Sequence, residues 1–182
     1  PPTGLPAGGN VDRALAAIPV DRPADRARAL NNRGLVRLYL GGAREGLRDL
    51  ELAEALFASL DQRLDAADAA HNRAMMLARL GDLPAALATF DSSEQELAAL
   101  GEPIDALLVD RAEVMVLAGL ADDVVRTLEP VIERLDAGGM AADAGEARLY
   151  LAMARLELSD PRAVDDARDT AARFRAAGRD GW

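Results

Sequence analysis

From Pro23 onward, apolar side chains return every three or four residues, the interval that gathers them on one face of an α-helix. Between Asp65 and Leu80 the positions Ala70, Ala74, Leu77 and Leu80 share one face; after Pro84, Ala86, Leu87, Phe90 and Leu97 share another. Ala, Leu, Arg and Glu fill these stretches, and all are strong helix formers. No segment alternates apolar and polar residues with β-branched enrichment, so no strand is predicted. Breaks between helices are marked by residues with a physical reason to be there. Gly81-Asp82 stops one helix, because glycine takes the left-handed cap without steric cost, and Pro84 suits the first turn of the next. Gly41-Gly42, Gly101-Glu102-Pro103, the turn from Gly119 to Asp122, Gly138-Gly139 and Ser159-Asp160-Pro161 read the same way. The Pro/Gly-rich residues 1–10 predict a flexible lead-in. Asn10 is placed to cap a short helix over Val11–Ile18 that Pro19 stops.

The helices come in a repeating pair. Asn32-Arg33-Gly34 is followed by Gly41, Asn72-Arg73-Ala74 by Gly81, and Asp110-Arg111-Ala112 by Gly119. The small residues Gly34, Ala74 and Ala112 recur at intervals of 40 and 38, and Ala152 extends the series by another 40. In that fourth copy Ser159 stands for the glycine and Leu151 for the arginine. A small side chain lets the paired helix approach where a larger one would hold it off. Bulky residues at Leu50, Phe90 and Leu128 are placed to fill the groove, and a second small or β-branched position recurs at Gly46, Ala86, Val124 and Val164. A fixed period near 40 marks stacked helical hairpins rather than a plain bundle. The reading divides the chain into a lead-in with a short helix (1–23), three hairpin repeats (24–62, 63–101, 102–140) and a fourth with a cut-off end (141–182), where Gly181-Trp182 reads as the start of a further helix.

Composition narrows the chemistry. The chain has 182 residues, half of them hydrophobic and 3% aromatic, with a net charge of −10; its basic residues are all arginine. There is no cysteine and one histidine, His71, which excludes disulfides, cysteine-ligated metals and a cysteine nucleophile. The acidic balance argues against nucleic-acid binding. No run approaches the roughly 20 apolar residues of a membrane span. No secretory signal is visible, so the cytoplasm is the default compartment. No acid–base constellation stands out, and neither an enzyme nor a cofactor is expected.

These residues resemble the tetratricopeptide (TPR) repeat, whose pattern has a small eighth residue, Gly near the fifteenth, Ala at the twentieth and a bulky twenty-fourth. Ala74, Gly81, Ala86 and Phe90 match in order; Gly34, Gly41, Gly46 and Leu50 match with glycine for alanine; Ala112, Gly119, Val124 and Leu128 match more loosely. The likeness covers roughly residues 24–177 and is to the long repeat seen in kinesin light chains and bacterial regulators. It implies an all-α fold, a right-handed α-α superhelix (TPR solenoid) of about four hairpins. A narrower likeness lies in Val109–Val114, Gly139–Asp143 and Phe174–Arg179, which look like the repeat region of actinobacterial CHAT-domain proteins. There, helical repeats precede a caspase-like domain with a His/Cys dyad; no protease residue is carried over to a chain without cysteine.

The resemblance implies a concave face lined by the first helix of each hairpin, binding a peptide or partner protein. Asn32 and Asn72 fall at the sixth repeat position, where asparagine holds a peptide backbone in long-repeat relatives; the third and fourth copies carry Asp110 and Tyr150. Further candidates on that face are Leu35, Tyr39, His71, Met75, Arg79, Glu113 and Met153, with Arg28, Asn31, Leu38, Val109, Val116, Leu149 and Leu156 beside them. The alternative for the asparagines is a local bond between hairpins. Arg33, Arg73 and Arg111 form a row expected to make ion pairs, the other reading being an anion site. His71 has no partner at metal-ligand spacing. Asp61, Asp65 and Asp68 read as a solvated acidic turn, and Asp122-Asp123 and Asp165-Asp166 as complements to helix dipoles. The last helix would expose Val164, Ala167, Ala171 and Phe174, so self-association through an uncapped end is expected. The resulting expectation is a protein-interaction scaffold, the recognition region of a larger CHAT-type protease; the alternative is the sensing arm of a bacterial transcriptional regulator.

Overall fold

The computed structural model describes residues 7–40 and 42–176, with side chains placed from residue 12 onward. Among these residues there is no strand. The helices are α1 (Ala7–Ala17), α2 (Pro23–Leu40), α3 (Ala43–Ser59), α4 (Arg63–Arg79), α5 (Leu83–Leu100), α6 (Asp105–Leu117), α7 (Ala121–Ala137), α8 (Ala141–Glu157) and α9 (Ala163–Ala176). They form two compact units, Pro1–Glu102 with α1 to α5 and Pro103–Trp182 with α6 to α9. Each unit contains two helical hairpins: α2–α3 and α4–α5 in the first, α6–α7 and α8–α9 in the second.

Turn chemistry sets the helix ends. The left-handed backbone is taken at Asp61 (φ 57°), Gly81 (84°), Gly101 (76°), Gly119 (71°), Gly139 (71°) and Ser159 (56°). Ser159 therefore does in the fourth hairpin what glycine does in the second and third. Asp82 caps α5 by accepting from the Ala85 N–H at 3.2 Å, with Pro84 in the first turn. At the amino end α1 begins at Ala7, so Asn10 lies inside the helix and does not cap it. Pro and Gly in the lead-in delay the helix less than expected. Gly41, Ala177 to Trp182 and the lead-in's first residues lie outside the described set.

Close helix contact occurs at the small residues. A Cβ on Gly34 would stand 2.6 Å from Leu50 Cγ and 3.2 Å from the Gly46 carbonyl oxygen; one on Gly46 would stand 2.4 Å from Met76 Cε. Backbone meets backbone here, which only glycine permits. In the next hairpins Ala74, Ala86, Ala112 and Val124 are completely buried, as are the large partners Leu50, Phe90 and Leu128. The fourth hairpin departs from this register. Ser159-Asp160-Pro161 makes a different turn, and α9 buries Ala163, Thr170 and Phe174 while Val164 points outward. Phe174 is not exposed as expected. It packs on α8 where Gly145 has no side chain; a Cβ there would lie 2.9 Å from Phe174 Cε1.

Charge is also buried within hairpins. Asp49 of α3, 3% exposed, accepts from Arg33 Nε at 2.7 Å and Nη2 at 2.6 Å, and from Arg37 Nη1 at 2.5 Å. Arg33 also donates to Asp12 at 2.9 Å, tying α1 to α2. Two guanidiniums compensate the desolvated carboxylate with good geometry, which is the condition for such a group to be tolerated. The same arrangement returns in the fourth hairpin, where Arg155 donates to Asp166 at 2.5 Å. Asp166 is thus a hairpin clasp rather than a plain helix-dipole partner.

Two outcomes test this packing. Gly34→Ala gains about 1 kcal/mol of helix propensity but forces Leu50 and the facing backbone apart, so a net loss of about 1–2 kcal/mol is expected. The urea midpoint falls with the slope unchanged. Asp49→Ala leaves Arg33 and Arg37 with only the exposed Asp12 carboxylate between them and lowers unfolding stability by about 3 kcal/mol in the same measurement.

Candidate partner-binding face

The first helices of the hairpins carry most residues singled out in the sequence. In the first unit these are α2 and α4. Asn72 Nδ2 donates to Asn31 Oδ1 at 3.1 Å, joining the two helices. Asn72 is half-buried and its amide donor is committed to this bond; Asn32, the register equivalent, is exposed. The polar contact between hairpins therefore uses Asn31, one position earlier than the repeat alignment indicates. Leu35, Leu38 and Met75 are half-buried, Arg28 and Arg79 exposed, and Tyr39 is 78% exposed near the end of α2. His71 is half-buried, its ring 5.5 Å from that of Phe90 and tilted by 56°. That contact turns one side of the imidazole towards α5.

In the second unit the corresponding helices are α6 and α8. Asp110, Glu113 and Tyr150 are half-buried, and the Glu113 carboxylate lies near the Tyr150 phenol. Burial pushes the phenol's pKa well above the ordinary tyrosine value, and the nearby carboxylates Glu113, Glu146 and Asp110 push it further. Val109 does not contribute to the face; it is buried in the core. Met153, Leu149 and Leu156 line an open groove between α8 and α9, with Leu156 68% exposed.

The arginine row makes ion pairs where partners are seen. Arg33 meets Asp49 and Asp12, and Arg73 of α4 donates to Glu54 of α3 at 2.6 Å. Arg111 is half-buried. Glu54–Arg73 and the Arg63–Glu96 pair (2.6 Å) rim an open groove of about 330 Å³ floored by Ala66, Ala67, Ala70 and Ser93. The Ser93 hydroxyl is already donated to the Ala67 carbonyl at 2.8 Å. The sequence reading missed the acidic partners Asp49, Glu54 and Glu129. Their signal is a carboxylate on the second helix facing an arginine of the same hairpin or the next.

Among the described residues, no group of His, Asp or Glu is arranged to hold a metal ion. No helix among them is long and apolar enough to cross a membrane.

The fold is that of a TPR-like all-α solenoid. Two solved structures of a kinesin light chain-type protein from Podosopora anserina with nearly identical TPR-like repeats are similar to it. A single-substitution variant superimposes with a TM-score of 0.74 and its parent with 0.72. In both cases the identity is 16% and 95% of this chain is covered, with 87% and 88% of the other chain. No protein-family model matches the sequence, and no curated protein matches it. At this identity the likeness establishes the fold alone.

The acidic environment of Tyr150 is open to titration. The difference in tyrosinate absorbance between the native chain and Tyr150→Phe is expected to show no Tyr150 ionisation until well above the ordinary range. Glu113→Gln lowers that ionisation without restoring it, because burial remains. By linkage, the contribution of the neutral phenol to stability is complete below the unfolded-state value and is lost as the pH rises through the folded one.

Proposed function

We propose that this chain is a protein-interaction scaffold that holds a peptide or partner protein on the first-helix face of its hairpins. The observation that carries this reading is the character of that face. Exposed or half-buried Asn32, Tyr39, Met75 and Arg79 in the first unit, and Asp110, Glu113 and Tyr150 in the second, sit on first helices held rigid by the buried small-residue contacts. Such faces mix amide, carboxylate, aromatic and thioether groups, which suits an extended peptide better than a small substrate. Arg33, Arg73 and Arg155 are held in ion pairs between helices. We place the chain as the recognition region of a larger CHAT-type protease, on the strength of the three short strings resembling such repeats. The reading includes a cytoplasmic setting and no nucleic acid, membrane or cofactor. A sensing arm of a transcriptional regulator is the second reading, favoured by the same long repeat.

The test has two parts. A peptide array is screened against the chain, and hits are titrated by fluorescence polarisation against Asn32→Ala, Asn72→Ala, Tyr39→Ala and Glu113→Ala. Losses of about tenfold, about 1.4 kcal/mol each, are expected at one or more of these positions, with Arg126→Ala on the second helix α7 unchanged. Equal binding by all four face variants overturns the assignment of the face. Sequencing of the surrounding reading frame separates the two settings: a downstream segment with a His and a Cys supports the protease, and a helix-turn-helix supports the regulator.

A further inference from the structure

In both units the second helix of a hairpin offers carboxylates to arginines on the first helix of the next. Glu54 of α3 accepts from Arg73 of α4 at 2.6 Å. Glu129 of α7 accepts from Arg155 of α8 at 2.6 Å, and Asp136 of α7 accepts from Arg148 of α8. Glu129 and Asp136 lie seven residues apart, two helical turns, as do Arg148 and Arg155 on the antiparallel partner. The pairs act as a two-point charge code for seating α8 against α7.

The helix α9 repeats the buried register of α7 thirty-nine residues later: Val124, Val131 and Leu135 correspond to Ala163, Thr170 and Phe174. In this register Glu129 becomes Arg168 and Asp136 becomes Arg175. The code at the seat is inverted. Both arginines line the open groove between α8 and α9, about 460 Å³ in volume. Its walls are Leu149, Met153 and Leu156 from α8 and Val164, Ala167 and Ala171 from α9, and no carboxylate lines it. Leu156 and Val164 are 68% and 51% exposed. The buried Leu128 of α7 is matched here by the exposed Ala167. The groove is the counterpart of the seat that α8 occupies on the preceding hairpin.

We propose that this groove seats one amphipathic helix of a partner protein, apolar on one face and bearing two carboxylates seven residues apart. The carboxylates take the places that Arg148 and Arg155 take on α8. A second copy of the chain does not meet this requirement through α7, whose Glu129 and Asp136 already hold Arg155 and Arg148, nor through a first helix. At those two places α2 has Leu30 and Arg37, α4 has Ala70 and Leu77, α6 has Leu108 and Met115, and α8 has its arginines. No first helix of the chain supplies a carboxylate, and α8 of another copy would set arginine against arginine. The seat shares Leu149, Met153 and Leu156 with the first-helix candidates but not Asp110, Glu113 or Tyr150, so the Glu113→Ala variant tests that face and the Arg168 and Arg175 variants test the seat.

The probe is the α8 sequence itself, residues 141–157, as a labelled peptide carrying Arg148→Glu and Arg155→Glu, beside the same peptide with native arginines. Both carry a lactam bridge on the polar face, because isolated helices of this length are marginal. Titrated into the native 182-residue chain at low salt, the glutamate peptide is expected to bind about tenfold more tightly, with the preference shrinking as salt rises. The chain's net charge of −10 opposes any acidic peptide, so the preference has to come from local charge. In the Arg168→Glu/Arg175→Glu chain the order reverses, and in the Arg168→Gln/Arg175→Gln chain it disappears. All these positions are solvent-exposed, and thermal melts of the variants match the native chain. Equal binding of the two peptides, or an order that persists in the charge-reversed chain, overturns the proposal. So does a dimer seen by sedimentation that the glutamate peptide fails to dissociate, since the seat would then belong to a second copy.

Discussion

Everything in this chain depends on how closely its paired helices approach. With 3% aromatic residues there are few large side chains to fill wide gaps, so the helices themselves must come together. At Gly34 and Gly46 the two backbones leave no room for a methyl group, and Leu50 covers the crossing. At Ala74 and Ala112 a methyl is accommodated, and Phe90 and Leu128 of the paired helices are completely buried. Dispersion scales with the number of atom pairs at contact distance, and backbone at close range supplies many of them. The three phenylalanines, Phe57, Phe90 and Phe174, are all buried, Phe57 among Ala27, Ala53 and Ala69 and Phe174 against Gly145.

A core built from small residues contributes less transfer free energy per helix than one built from leucine. Ion pairs supply direction where apolar bulk does not. Asp49 with Arg33 and Arg37, and Arg155 with Glu129 and Asp166, hold helices in one register because bidentate and bridging geometries tolerate little sliding. Arginine fits this use and lysine does not, since its planar fork can serve two carboxylates at once. In the middle hairpins the same register positions hold Leu77 with Thr89 and Met115 with Thr127, which make no such clasp. The buried clasp is thus confined to the first and fourth hairpins, the ones that in the sequence flank the others.

The fold was legible because it rests on period and residue size, both visible in one dimension. Ala74, Gly81, Ala86 and Phe90 state a hairpin almost completely. The last helix departs from the repeat because the fourth hairpin does not keep the turn length of the second and third. Ser159-Asp160-Pro161 shortens the register by one residue, which buries Ala163 in place of Val164 and turns Phe174 inward. The candidate face was legible only as a set of positions. Which asparagine bonds which depended on a one-residue offset between α2 and α4, so Asn31, and not Asn32, meets Asn72. Tyr150 and Glu113 lie on different hairpins, and no spacing rule within one helix could have paired them.

Sequence period also hides what changes sign within it. Small and bulky residues define the repeat, and on those terms α7 and α9 are equivalent with a one-residue offset. Their charged positions are not: Glu129 and Asp136 stand where Arg168 and Arg175 stand. A seat whose apolar walls are mostly alanine and leucine discriminates poorly among amphipathic helices, because each offers similar surface. Charge at two fixed points discriminates well, since like charges brought together over a desolvating surface oppose docking as strongly as opposite ones favour it. At the seat between α7 and α8 the sign of two charges therefore adds a discrimination that the small hydrophobic residues alone do not supply.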